Sequence, residues 1–210
     1  PADLARANGN IIKDTRTTQL LPWISHNFPN LKIIYIVRSP IAQISSILKK
    51  FEPDGIIHQS KQNADYFSSR NIDLFNNFQT YRVDHEDLEA YLAWRWLLEN
   101  YLPLIKYKDS GNWFTLSYEK TVTVPQTVIT QLNVYLNSDI KIREDKLHQP
   151  SFSATDQVKN NFSFEEKQRL FSWKETLTFN QVSSIRSVID NFDPNLLDDE
   201  GLINDQYLKP

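Results

Sequence analysis

Apolar residues fall in this chain into two kinds of run. Lys32-Ile-Ile-Tyr-Ile-Val37 is short and almost unbroken, as in a parallel strand covered on both faces, and Trp113-Phe-Thr-Leu-Ser-Tyr118 is a second strand. Ile11-Ile12-Lys13, after Gly9-Asn10, reads as a shorter one. Elsewhere the apolar residues return at helical spacing. Ile41, Ile44, Leu48 and Phe51 form a stripe behind Pro40, with Ala42, Ser46, Lys49 and Lys50 on another face. Pro40 suits a helix's first position, where its fixed φ helps and its missing N–H is not needed. Leu88, Tyr91, Leu92, Leu98, Tyr101 and Leu102 mark a long helix from His85 to Lys106. Trp94 and Trp96 differ by two positions in it and must face different ways: both are structural, or one lines a cavity. Further helices are predicted from Thr17 or Thr18 to Asn27, from Pro125 to Leu136, from Phe164 to Thr176 and from Gln181 to Phe192.

Strand, helix and strand over residues 11–37 make a βαβ unit, so these strands should be parallel with a right-handed crossover. The expected class is α/β. Residues 53–84 follow the break at Pro53-Asp54-Gly55 and are rich in Asn, Gln, Ser and aromatics. They read as an irregular insertion, either a lid or acceptor-site segment or a long packed loop. The α/β domain is expected to occupy residues 1–192, and residues 193–210, with Asp193, Asp198, Asp199, Glu200 and Asp205, to form an acidic, loosely attached tail.

Composition narrows the classes of function. The chain has 210 residues, 40% of them hydrophobic and 23% charged, enough for one α/β domain with its own core. Its net charge of −3 gives no electrostatic reason to expect nucleic acid. No window approaches the roughly 18 apolar residues of a membrane span, and no signal-peptide pattern opens the chain. The absence of cysteine excludes disulfides, thiolate metal sites and cysteine nucleophiles, and fits a reducing, cytoplasmic setting without demanding it. The chain opens at Pro1 and contains no methionine, so it reads as a processed chain, an excised domain (for which a lumenal setting is open) or a sequence from which residues were dropped.

The chemistry gathers at strand ends. Arg38 closes the first long strand, a helix N-terminus follows, and Ser46 lies two turns along. Each favours an anion, and together they suit a phosphate monoester at the strand edge where open α/β sheets bind ligands. The alternative is a surface salt bridge for Arg38 and a solvated serine. With proline two residues and serine eight residues after the arginine, this element resembles the 3′-phosphate-binding element of the sulfotransferases that use PAPS (3′-phosphoadenosine 5′-phosphosulfate). The resemblance implies a three-layer, P-loop-like α/β domain with a central parallel sheet flanked by helices. It also implies that Arg38 and Ser46 hold the 3′-phosphate.

Four more segments follow the same family in order. Lys13 occupies the slot of a lysine that stabilises charge on the transferred sulfuryl group, and a strand-end lysine can supply that as a point charge. Lys13-Asp14, a helix and Phe28-Pro29-Asn30-Leu31-Lys32 are locally most similar to the tyrosylprotein branch. The histidine base that many members carry two residues past the lysine is Thr15 here, so a carboxylate from elsewhere would be needed. Leu116-Ser117-Tyr118-Glu119 resembles the Tyr-Glu-Asp element, which implies that Tyr118 meets the adenine while Glu119 serves structure. Pro150 to Lys159 is similar to a nucleotide-covering Ser-Thr-Asp-Gln-Val segment, with Ala154 at the serine's place and Ser153, Thr155 and Lys159 as substitutes. Trp173-Lys174 resembles the dipeptide after the C-terminal phosphate loop. That loop's Arg-Lys-Gly is absent, which leaves Lys167 as a phosphate candidate and Trp173 as a core anchor.

The family's 5′-phosphosulfate loop needs glycine and hydroxyl residues with a lysine or arginine. The four glycines here form no such cluster, so the chain is expected to start after that element and, by itself, to be inactive. The implied reaction moves a sulfuryl group from PAPS to a hydroxyl or amine acceptor, by in-line displacement and without metal. The acceptor is a small molecule, a protein or a carrier-tethered group. A non-catalytic nucleotide-binding or protein-interaction domain with the same fold is the competing reading. A P-loop kinase would need a G-x-x-x-x-G-K-[ST] run and magnesium ligands, and that run is absent.

Overall fold

A computed structural model describes residues 11–14, 18–50, 87–106, 112–141 and 170–208. Strand β1 (Ile33–Val37) pairs in parallel with β2 (Trp113–Ser117), with Ile33 opposite Trp113 and Val37 opposite Ser117. Between them in sequence lie α2 (Pro40–Lys50) and α3 (Leu88–Lys106); a single-turn 3-10 helix (Thr18–Leu20) and α1 (Leu21–Asn27) precede β1. After β2 come α4 (Tyr118–Thr123), α5 (Pro125–Leu136), the short α6 (Trp173–Thr176) and α7 (Phe179–Phe192). The chain is mixed α/β with a parallel sheet, as its pattern predicted.

Alternation along the strands sends Ile33, Tyr35, Val37 and Trp113 to one face, where they join the main core with Ile41 and Ile44 of α2, Leu92, Trp96 and Leu97 of α3, and Ile185 and Ile189 of α7. On the other face Phe114 and Leu116 pack with Val128, Leu132 and Tyr135 of α5. That helix covers β2 and leaves the β1 half of the face open: β2 is buried at every position, while Ile34 and Ile36 are 41% and 57% exposed. The expectation that β1 is covered on both faces is therefore corrected among the described residues.

Local signals explain the element ends. Asp87 accepts the Ala90 N–H at 2.9 Å and so caps α3, which starts at Leu88. Thr178 and Gln181 form a reciprocal capping box that starts α7 at Phe179, two residues ahead of the expected Gln181. Asn137 ends α5 in the left-handed conformation that asparagine tolerates. Both Trp94 and Trp96 are buried, and so is Ala42, which the apolar stripe had set on another face.

Two further expectations are corrected. Residues 11–14 form no strand: Ile11 and Ile12 are almost fully exposed, and the sheet has two strands among the described residues. An isolated pair of apolar residues cannot fix its own hydrogen-bond partners, so pattern alone overreached there. Residues 193–208 are not loosely attached. Leu196, Leu197, Ile203 and Tyr207 are buried in the core, Leu197 and Ile203 form an antiparallel bridge, and Arg186 donates to the carbonyls of Asp198 and Asp199. The acidic side chains lie between these apolar anchors, which is why charge counting misread the segment. The insertion at 53–84 lies outside the described residues, as does all of the predicted Phe164–Thr176 helix before Leu170. Among the described residues no helix is long and apolar enough to cross a membrane.

Candidate functional site

The site grows from the carboxyl ends of the two parallel strands. Just beyond the last ladder pair, Val37 opposite Ser117, come Arg38 on one side and Tyr118, already the first residue of α4, on the other; Ser39 and Glu119 follow them.

Arg38 is half-buried, and its guanidinium carbon lies 5.3 Å from the centroid of the Tyr118 ring. That cation–π contact holds the cation without neutralising it. Its Nε is buried with no hydrogen-bond partner, and no carboxylate pairs with it among the described residues. Its carbonyl accepts a hydrogen bond from the Trp96 indole at 3.2 Å, which ties the strand end to α3. Tyr118 is held in turn as the first residue of α4, where the Ser117 hydroxyl accepts the Lys120 N–H at 3.3 Å.

The inner pair is saturated. Glu119 is 2% exposed; its Oε1 accepts the Ser39 N–H at 3.0 Å and its Oε2 accepts the Ser117 hydroxyl at 2.8 Å. Ser39, fully buried, donates its hydroxyl to the Gly201 carbonyl at 2.6 Å. Gly201 has φ +80°, and a Cβ there would stand 2.7 Å from Cδ1 of Ile41. At the surface Lys120 pairs with Asp205 at 2.6 Å. The C-terminal segment thus fastens the turn after β1 and the turn after β2.

Arg38 and Tyr118 are brought together. Ser46 is exposed on α2, and its hydroxyl makes no hydrogen bond among the described residues. The buried serine of that helix is its neighbour Ser45, whose hydroxyl lies 3.2 Å from that of Thr176. Lys13 is exposed in a stretch without regular structure and makes no contact with Arg38 or Tyr118 among the described residues. Ser153, Thr155, Lys159 and Lys167 lie outside those residues. Trp173 is buried in the main core, as a core anchor should be. Sequence reasoning missed Ser39 and the Trp96 indole. For Ser39 the signal was its place between a strand-end arginine and a helix-opening proline; for Trp96 a contact 58 positions away left none.

The arrangement is a half-buried cation, its buried Nε unpaired among the described residues, beside an aromatic ring at the carboxyl edge of a parallel sheet. It suits an anionic ligand that also has a flat face. Residues 10–200 match the sulfotransferase domain. The chain belongs to that family. No curated protein and no solved structure matches it. Membership makes this a transferase-family domain, and the family match runs through both strand ends and Trp173 and into the first part of the C-terminal segment.

Proposed function

We propose that this sulfotransferase domain binds PAPS and moves its sulfuryl group to a hydroxyl or amine acceptor. The observation that carries the reading is Arg38, whose buried Nε has no partner while its guanidinium lies over Tyr118. A fork of N–H donors matches the oxygens of a phosphate monoester, and the 3′-phosphate of PAPS is such a group. The Tyr118 ring meets the adenine, Ser46 adds a hydroxyl to the 3′-phosphate, and Lys13 stabilises charge on the transferred group. Ser153, Thr155, Lys159 and Lys167 cover or contact the nucleotide.

In the reaction the acceptor oxygen or nitrogen attacks sulfur as the bond from sulfur to the 5′-phosphate oxygen breaks. The acceptor's proton passes to a base, and 3′-phosphoadenosine 5′-phosphate (PAP) leaves. Positioned cations do most of the work in such a transfer, because charge shifts onto oxygens in the transition state. The family match supports this reaction, and the Arg38–Tyr118 pair supports the nucleotide. Equilibrium dialysis with labelled PAPS tests the reading: excess PAP should displace the label and excess ATP should not. Equal displacement by both would overturn it.

A further inference from the structure

Glu119 is the buried carboxylate beside this site, and its geometry is not that of a bystander. A buried carboxylate near an arginine ordinarily pairs with it, since each charge relieves the other's desolvation. Here both carboxylate oxygens are engaged by uncharged donors, the Ser39 N–H from the end of β1 and the Ser117 hydroxyl from the end of β2. The bridge therefore joins the two strand ends next to the Arg38–Tyr118 contact, through residues that flank it in sequence. It fixes the spacing of the two backbones that carry that contact, and it leaves the guanidinium without a carboxylate partner among the described residues.

We infer that Glu119 is the positioning residue of the anion site: it sets Arg38 against Tyr118 and keeps Arg38 free for a ligand's phosphate. This rests on the reading of Arg38 as the 3′-phosphate ligand. The Ser39 hydroxyl extends the same clamp to Gly201, so the C-terminal segment reinforces it. Reach, more than charge, is what the bridge requires. Glutamine keeps the length and one acceptor oxygen for the Ser39 N–H, whereas aspartate keeps the charge but is one methylene too short to span the gap.

Calorimetric titration of the chain with PAP and with 5′-AMP, which lacks the 3′-phosphate, tests this in the unmutated protein and in Glu119→Gln, Glu119→Asp, Glu119→Ala, Arg38→Ala and the Arg38→Ala/Glu119→Ala double variant. Thermal melting identifies the variants that fold. Coupling between residues of one network predicts that Glu119→Asp and Glu119→Ala weaken PAP by about tenfold or more and 5′-AMP by less than about threefold. Glu119→Gln should stay within about threefold of the unmutated chain for both ligands, and Glu119→Ala should add nothing to the PAP loss once Arg38 is gone. The inference is overturned if folded Glu119→Asp or Glu119→Ala keeps the full preference for PAP. It is also overturned if Glu119→Ala weakens PAP by the same factor with and without Arg38. Should the unmutated chain show no preference for PAP over 5′-AMP, the reading of Arg38 itself has failed and the inference falls with it.

Discussion

Arg38 and Glu119 stand one step apart at the ends of neighbouring strands, and their surroundings are opposite. Glu119 is deeply buried and has a donor on each oxygen; Arg38 is half-buried, and its Nε is buried without an acceptor among the described residues. A buried polar group left unpaired costs stability, so a fold keeps one where something else is gained. The contrast separates structure from function within one turn of chain. The saturated charge belongs to the scaffold, and the unsaturated one is the group the proposed function assigns to the ligand.

The largest effect should come from breaking the saturated side. Glu119→Ala removes two hydrogen bonds to a charged group and leaves the Ser39 N–H buried and unpaired, a loss of about 3–5 kcal/mol in chemical denaturation. A smaller loss falls on the clamp's outer end. Gly201→Ala forces a side chain into a positive-φ position against buried Ile41, which should cost about 1–3 kcal/mol in the same measurement. Tyr118→Leu removes the ring that packs on the cation and that the proposed function sets against the adenine, so it should weaken PAP and 5′-AMP alike, by about 1 kcal/mol in calorimetry. The smallest effect sharpens the contrast most: Arg38→Ala should change unfolding stability by no more than about 0.5 kcal/mol, because it removes an unpaired buried donor along with one cation–π contact. A large loss there would make Arg38 a structural residue.

Much of this was legible in the residues, for identifiable reasons. β1, β2 and α5 follow from short apolar blocks, a turn at Asn112 and a helix-opening Pro125, all local signals. Arg38 and Tyr118 could be picked out because each directly follows a strand, and parallel strands bring their carboxyl ends together whatever separates them in sequence. The clamp was not legible. Ser39 to Glu119 and Ser39 to Gly201 span 80 and 162 positions, and no local pattern encodes such partners. The C-terminal segment was misjudged for the same reason: its acidic residues are local and visible, whereas the core that receives Leu196, Ile203 and Tyr207 is assembled from the rest of the chain.

The account depends most directly on Arg38 selecting a 3′-phosphate, and one calorimetric comparison tests that. PAP and 5′-AMP differ by that phosphate alone, and a desolvated charge-assisted pair is worth about 2–4 kcal/mol, so PAP should bind roughly 30- to 900-fold more tightly. Arg38→Ala should bring the two affinities together by weakening PAP and leaving 5′-AMP nearly unchanged. Equal affinities in the unmutated chain, or a preference for PAP that survives Arg38→Ala, would contradict it.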